Sequence, residues 1–544
     1  MFSEIVLKNK KIIDKSFSES DFLDLLLKNR QIKKTDYNDF FTPHFPDNSD
    51  FNINKKELKK AVDRVNLAIK NNENILIYGD YDVDGITATA ILWQVLYQKG
   101  AKILPFIPDR ETDGYGVRSK SFFDFEAQKS IHFDLLITVD NGIVANTELE
   151  KIIKKNTDII IVDHHLPTEN LPKVSAIIHS TNFSGSALSW FFASQFNKNA
   201  DIGLAAAGTV ADCLPLVGIN RNIVIHGLKS LQKNPNPGIK KLIEISGIKA
   251  DSISAYDLGF VIGPRINAVG RLSNPTEALR LLCSQNSLQA SKYAKNLDKF
   301  NKDRQDIQKD NLITAEKLIC RDDQSGRLND KLIFISHKDF LPGIIGLIAG
   351  RLTEKYYLPS IIISIGDEYS KGSCRSIKEL NIIDTLRNFN NDLVDLGGHT
   401  GAAGFTIKTK NIAKFKSKIT KFINSKLKDL DLKPSIIVES EMDLSAVIIK
   451  NCRILEKFEP FGINNPKPLF LFKNIFIDQK RVIGSTGDHL KLKFGNIDAV
   501  AFKKGDLDKN LKVGDKINIV ASLDLNIWNG TTSPQLIIKE IFPV

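Results

Sequence analysis

Cysteine is scarce and unpaired in this chain. Its five thiols (Cys213, Cys283, Cys320, Cys374 and Cys452) are scattered over 544 residues with no C-x-x-C pair. That spacing argues against a disulfide framework or a cysteine zinc module and fits reduced thiols. Long apolar runs are missing as well. No stretch approaches the roughly 20 residues that span a bilayer, and the opening MFSEIVLKNKKIIDK has no secretory apolar core. A cytoplasmic protein without a membrane segment is therefore expected. Acid is the third deficit: 64 Asp and Glu against 75 Lys and Arg leave a formal charge of +11. A surplus of base favours a polyanionic partner, although lysine is abundant throughout and part of the surplus belongs to ordinary solvated faces.

What is present is best read from NILIYGDYDVDGITATA, residues 74 to 90. Asn74–Tyr78 has the length and apolarity of a buried strand. Asp80, Asp82 and Asp84 fall in the turn after it, and Gly85 opens an apolar helix to about Tyr97. In a parallel α/β sheet such a turn lies at the carboxyl end of the strand, where sites are built. Three carboxylates there repel one another unless a cation sits between them. An Asp-rich turn with Asp84 as a helix cap is the plainer alternative. Two more apolar runs end in the same way: Asp134–Val139 stops at Asp140, Asn141 and Gly142, and Asp158–Val162 stops at Asp163, His164 and His165. Three strand ends in one sheet share a crevice, so Asp82, Asp84, Asp140, His164 and His165 are expected to converge. Asp212, a lone carboxylate in the small-residue stretch Gly203–Pro215, is a fourth contributor; its plainer role is a cap ahead of Pro215. A site mostly of carboxylates with one or two histidines suits Mn²⁺ or Mg²⁺. Two such ions serve in-line displacement at phosphorus, so phosphoester hydrolysis is the leading reaction class.

These residues resemble successive motifs of the DHH phosphoesterases: Asp-Tyr-Asp-Val-Asp-Gly, Val-Asp-Asn-Gly and Asp-His-His. The likeness runs from about residue 50 to the C-terminus through GTVADCLPL (208–216), GPRINAVGRL (263–272), GGHTGAAGF (397–405) and FEPFGINNPKP (458–468). It points to members of the family that degrade single-stranded DNA from the 5′ end to 5′-mononucleotides in repair and recombination. The resemblance implies two ions, Mn²⁺ or Mg²⁺: Asp82 and Asp140 on one, Asp84, Asp140, His164 and Asp212 on the other, with Asp140 bridging. His165 is expected to contact the scissile phosphate or act as acid, with Asp80 as an extra ligand or a partner to one. Tyr78 stands where pyrophosphatase-like members carry a metal-binding histidine, which counts against a pyrophosphatase.

Substrate contacts are expected from Arg110 and Tyr115 in the polar loop IPDRETDGYGV, from Arg265, Asn267 and Arg271 in GPRINAVGRL, and from Ser373, Arg375 and His399. Guanidinium matches phosphate oxygens bidentately, and the glycine-rich loop GGHTGAAG permits close backbone approach to an anion. Surface ion pairs and loop-bracing arginines are the alternatives.

The expected architecture is α/β. A parallel-sheet catalytic domain covers 51–285, a long polar connecting helix 286–328, and a smaller α/β DHH-associated domain 329–432. A strand-rich, OB-like barrel covers 433–544, and 1–50 forms a lead without assigned chemistry. The barrel would grip a single strand, with Trp528, Phe494, Lys491, Lys493 and Lys503 as candidates. A monomer that works on single-stranded DNA is expected, with a single-strand-binding protein and a helicase as candidate partners. The alternatives are a family member acting on short oligonucleotides or cyclic dinucleotides, and a non-catalytic single-strand-binding relative.

Overall fold

The computed structural model describes residues 3–110, 113–114, 116–322 and 330–544. Its first layer is a five-stranded, all-parallel sheet of Asn74–Tyr78, Lys102–Phe106, Leu135–Val139, Asp158–Asp163 and Ala176–His179. In space the order is second, first, third, fourth, fifth. The chain therefore leaves the first strand in one direction and returns on its other side, and the reversal lies between the first and third strands. Loops diverge at such a switch point and leave a crevice beyond the carboxyl ends of the strands. The central strands read as near-continuous apolar runs because helices cover both faces: Leu135–Val139 is buried throughout, and Ile159–Asp163 likewise.

The helices Val83–Gln98, Gly185–Ser194 and Ile202–Ala211 lie against one another and are almost wholly buried. Their many Gly, Ala, Ser and Thr positions let the backbones approach closely. GPRINAVGRL is also helical, Gly263–Leu272, and not the loop-like segment its glycines suggest. Ser287–Asp322 is one helix of 36 residues that packs first on the parallel-sheet unit and then on the next.

The second unit is a five-stranded mixed sheet ordered Asp395–His399, Ala402–Lys408, Tyr369–Arg375, Ser360–Ser364, Ile333–His337. GGHTGAAG is therefore a hairpin rather than a free loop, because its two arms pair Gly397 with Gly404 and His399 with Ala402. The helix Ile412–Leu427 buries Phe415, Ile419, Ile423 and Leu427 on this unit, as its amphipathic spacing requires.

The C-terminal unit wraps an eight-stranded sheet around Phe470, Phe472, Leu490, Leu492, Phe494, Leu523 and Leu536. It is completed from the N-terminus. Ile12–Ile13 pairs with Ser440–Met442, Glu4–Leu7 pairs with Ser435–Val438, and the helix Glu19–Asn29 inserts Phe22, Leu25, Leu26 and Leu27 into the same core. Residues 1–50, which carried no legible role, thus include a structural part of the barrel. Arg30 locks the two together: it lies 4.9 Å from the Phe458 ring centre, pairs with Glu439 at 3.3 Å, and donates to Asn465 Oδ1 at 3.0 Å. FEPFGINNPKP then docks this unit on the catalytic one. The Leu216 N–H donates to Ile463 O at 2.8 Å, and Arg221 donates to the Phe40 and Glu459 carbonyls, each at 2.7 Å.

Candidate active site and metal centre

Each acidic side chain is aimed by a local device. Asp82, and not Asp84, caps the helix Val83–Gln98, accepting the Gly85 N–H at 3.1 Å. That leaves Asp84 to face the neighbouring helix Gly185–Ser194, where it accepts the N–H groups of Gly185 at 2.6 Å and Ser186 at 2.9 Å. A helix N-terminus favours negative charge, so this buried carboxylate is held in place by unpaired amides. Two glycines are required by close approach: a Cβ on Gly85 would meet the Asp80 backbone, and one on Gly208 would overlap Asp84 and Ser186. Asp140 follows its strand with φ of 60°, a left-handed conformation that Asp tolerates better than most residues and that collects at functional sites. Asp212 is the residue after the last turn of Ile202–Ala211.

These devices bring the expected ligands together. His164 Nε2 lies 3.0 Å from Asp140 Oδ1, 3.7 Å from Asp212 Oδ2 and 3.8 Å from Asp84 Oδ2. Three sets of ligand atoms, each within 4.8 Å of one another, are Asp80, Asp82 and Asp140; Asp84, His164 and Asp212; and Asp140, His164 and His165. Asp140 belongs to two of the sets, the position a shared carboxylate would take.

The cluster is electrostatically unsettled as protein alone. Burial, then repulsion from Asp84, Asp82, Asp80 and Asp212, pushes the Asp140 carboxyl well above its ordinary range. Burial and Asp82 raise Asp80 to about 8; burial, Asp84 and Asp82 raise Asp212 to about 8. Burial also lowers His164, outweighing the nearby carboxylates. Buried Oδ1 atoms of Asp80 and Asp140 accept no hydrogen bond. Orphaned carboxylate oxygens, a neutral imidazole and mutual repulsion are what hard divalent cations relieve, so the donor set fits two ions of the Mn²⁺ or Mg²⁺ type.

Asp163 is not a ligand in this arrangement. Its Oδ2 accepts the Ile143 N–H at 2.8 Å, and its Oδ1 accepts the His164 N–H at 2.7 Å and lies 2.8 Å from His165 Nδ1. Burial works against charge on His165, yet the hydrogen bond and charge of Asp163, with Asp80 and Asp212, lift it to about 9.

Arginines stand near these carboxylates. Arg271 is partly buried and donates to Gly343 O at 3.0 Å; desolvation, then the like charges of Arg110, Arg304 and Arg375, lower it to about 10. Arg375 donates to Cys374 O at 2.8 Å and reaches Ser373 Oγ at 3.5 Å. Arg110 lies 5.5 Å from the Tyr81 ring centre. Arg271 thus feels the like charge of three other guanidinium groups, offset in part by Asp82, a setting suited to phosphate.

Some expected residues are not brought here, and others were not foreseen. Arg265 braces the long helix instead, with Asp298 at 3.0 Å and Val261 O at 2.8 Å. Asn267 is partly exposed on the same helix as Arg271, and His399 is exposed at the hairpin end. Tyr115 lies outside the described residues. Phe494 is core, 1% exposed, and so is no base contact. Lys491 pairs with Asp498 at 2.7 Å, Lys493 is partly exposed, and Lys503 is exposed. Trp528 is 72% exposed at the end of a 13-residue hairpin arm, beside the turn Asn529-Gly530. Tyr81 lies inside Asp-Tyr-Asp-Val-Asp-Gly without having been singled out, whereas Arg304 and the Ser184–Ser186 helix start carried no motif signal of their own. Ser184 ahead of an apolar run is the capping pattern that could have found the last of these.

Residues 74–216 match the DHH family, N-terminal domain; 329–425 match the DHHA1 domain; and 438–540 match the RecJ OB domain. The chain is 33% identical over 503 residues to the single-stranded-DNA-specific exonuclease RecJ of Bacillus subtilis, covering 89% of this chain and 63% of that protein. It thus spans less than two thirds of the Bacillus relative. The Escherichia coli protein of the same name is 28% identical over 530 residues, 90% of each chain. Among solved structures, RecJ of Thermus thermophilus in complex with Mn²⁺ shares the fold with a TM-score of 0.83 at 24% identity, over 99% of this chain and 79% of that one. An exonuclease RecJ bound to manganese matches with a TM-score of 0.59 at 28% identity, over 69% of this chain and 97% of that one.

Proposed function

The chain belongs to the RecJ group of the DHH family, and on that premise we propose that it is an exonuclease that degrades single-stranded DNA from the 5′ end to 5′-mononucleotides. The observation that carries this reading is the convergence of Asp80, Asp82, Asp84, Asp140, Asp212 and His164 at the switch point of the sheet, with Arg110, Arg271 and Arg375 close by. Asp80, Asp82 and Asp140 would hold one divalent ion, and Asp84, Asp140, His164 and Asp212 the other. Two such ions supply charge neutralisation for in-line displacement at phosphorus and steady the leaving oxygen.

The rest falls to the protein. Arg110, Arg271, Ser373 and Arg375 hold the 5′-terminal phosphate, so that the next phosphate along the strand lies over the carboxylates. Water attacks that phosphorus, the bond from phosphorus to O3′ of the terminal nucleotide breaks, and the phosphate left on the shortened strand becomes its new 5′ end. His165, kept protonated by Asp163, is placed to hydrogen-bond the reacting phosphate or give a proton to the departing O3′. The Asp163 bond fixes the ring, leaving Nε2 as the atom that faces substrate.

Among the described residues no helix is long and apolar enough to cross a membrane; the acting form we propose is a cytoplasmic monomer. A single strand must first be opened and is coated once exposed, so a helicase and a single-strand-binding protein are the partners this activity calls for. Incubation with 5′- and 3′-labelled single strands and duplexes, with Mn²⁺, Mg²⁺ or chelator, tests the reading. Label release as mononucleotide from the 5′ end alone, only with metal and only from single strands, is expected. Release from the 3′ end, or from duplex at equal rate, would overturn it.

A further inference from the structure

Tyr256 and Phe260 stand in solvent on the helical run that leads into GPRINAVGRL, 65% and 70% exposed, with ring centres 4.9 Å apart and planes within 25° of parallel. The run opens at Ala255–Asp257, passes through a π-helical segment, Leu258–Ile262, and continues as the helix Gly263–Leu272. Positions four apart are neighbours on a helical surface, which lets the two rings stack. π-Helical insertions are rare and frequent at functional sites.

The same run lies along the metal cluster. A Cβ on Gly259 would sit 3.3 Å from Val210, one on Gly263 would sit 3.7 Å from Val83 and 3.8 Å from Ala211, and one on Gly270 would sit 2.9 Å from the Tyr81 carbonyl oxygen. Val83 separates Asp82 from Asp84, and Val210 and Ala211 precede Asp212. Along the run, then, Arg271 and the arginine cluster mark one end, the segments bearing the carboxylates flank the middle, and the aromatic pair marks the other end. Phe260 and Arg271 are about 16 Å apart along the axis, at about 1.5 Å per residue.

We propose that Tyr256 and Phe260 are a stacking platform for the nucleobases that follow the scissile phosphate. This inference rests on the exonuclease reading and adds to it a route for the strand: terminal phosphate at the arginines, scissile phosphate at the carboxylates, trailing bases on the rings. A flat aromatic face accepts any base, which suits an enzyme that advances one nucleotide at a time through arbitrary sequence.

The test uses the full chain and strands of about twelve nucleotides carrying 2-aminopurine at successive positions from the 5′ end. Binding is read by fluorescence without metal and turnover is read with Mn²⁺, for wild type, Tyr256→Ala, Phe260→Ala and Phe260→Trp; both sites are exposed, and circular dichroism checks each fold. Quenching is expected at one or two positions near the 5′ end, lost in Phe260→Ala and kept in Phe260→Trp. Phe260→Ala should raise KM about fivefold or more, with the effect shrinking as the strand is cut to three nucleotides. Abasic sites at the quenched positions should raise the wild-type KM by the same factor and add nothing in Phe260→Ala, the signature of two changes removing one contact.

An unchanged KM in Phe260→Ala, or an equal abasic penalty in wild type and variant, would overturn the platform. If wild type binds strands without degrading any, the exonuclease reading fails and the quenching pattern alone decides the platform. A wild-type dimer in sedimentation velocity that Phe260→Ala dissolves would assign the rings to a contact between copies, and the platform would fall.

Discussion

Asp163 Oδ1 lies 2.8 Å from Nδ1 of His165 and also accepts the backbone N–H of His164, so one buried carboxylate fixes both histidines. Asp163→Asn keeps the shape but removes the charge that holds His165 protonated. The variant should lose about 10- to 100-fold in kcat, and the alkaline limb of its pH–rate profile should move to lower pH. A raised histidine pKa means the charged form persists below that value and is lost above it, so weakening the cause shifts the limb down. A profile identical to wild type would remove Asp163 from this role.

Asp140 is repelled by four other carboxylates and sits in a left-handed backbone conformation. Asn tolerates that backbone where Ala does not, so Asp140→Asn is the cleaner variant. It should lower hydrolysis by several orders of magnitude while single-strand affinity stays largely intact, and calorimetry without metal should show a Tm at or above that of wild type. A tenth of wild-type activity would exclude Asp140 as the shared ligand.

The raised carboxyls predict a pH signature of metal binding. Asp80 and Asp212, lifted to about 8, bind protons in the folded metal-free protein that the unfolded chain has released. Between about pH 5 and about pH 8 the folded state therefore holds more protons, and its stability falls as pH rises. Divalent metal replaces those protons. The Tm gap between Mn²⁺-loaded and chelated protein should widen across that range; a gap that narrows would show that these groups are not the ligands.

End recognition is read as a ratio. Arg375→Ala should reduce the preference for 5′-phosphate over 5′-hydroxyl strands, in kcat/KM, by up to about 10- to 100-fold for a contact of about 1.5–3 kcal/mol. An unchanged ratio for Arg375→Ala would take that residue out of the phosphate site.

Removing the barrel by a cut after Leu432 is not a clean excision. Phe22, Leu25, Leu26 and Leu27 would lose the core they share with Phe470 and Phe472. Such a protein should aggregate, whereas deletion of both residues 1–36 and 433–544 should leave a better-behaved catalytic piece. That piece should show a raised KM on long strands and a shallower dependence of affinity on salt, since fewer phosphates are neutralised. Equal KM values on long and short strands would mean that the barrel is no grip.

The sequence alone determined the parts of this protein that depend on short range. Buried strands such as Leu135–Val139 announce themselves as apolar runs, and their polar ends, Asp82, Asp84, Asp140 and His164, follow within a few residues, so strand, turn and ligand were legible together. The long helix and the amphipathic Ile412–Leu427 were legible for the same reason, since each carries its own period. Tertiary structure decided what depends on distant partners. Whether Arg265 meets phosphate or Asp298 is set by a residue 33 positions away. GGHTGAAG is a hairpin because Tyr369–Arg375 offers it an edge, and residues 4–29 join a barrel more than 400 positions downstream. Asp84 is held by amides from 101 and 102 residues further on. A side chain's chemistry is written in its own position, but burial, charge balance and hydrogen-bond partners are properties of neighbours that only the folded chain assembles.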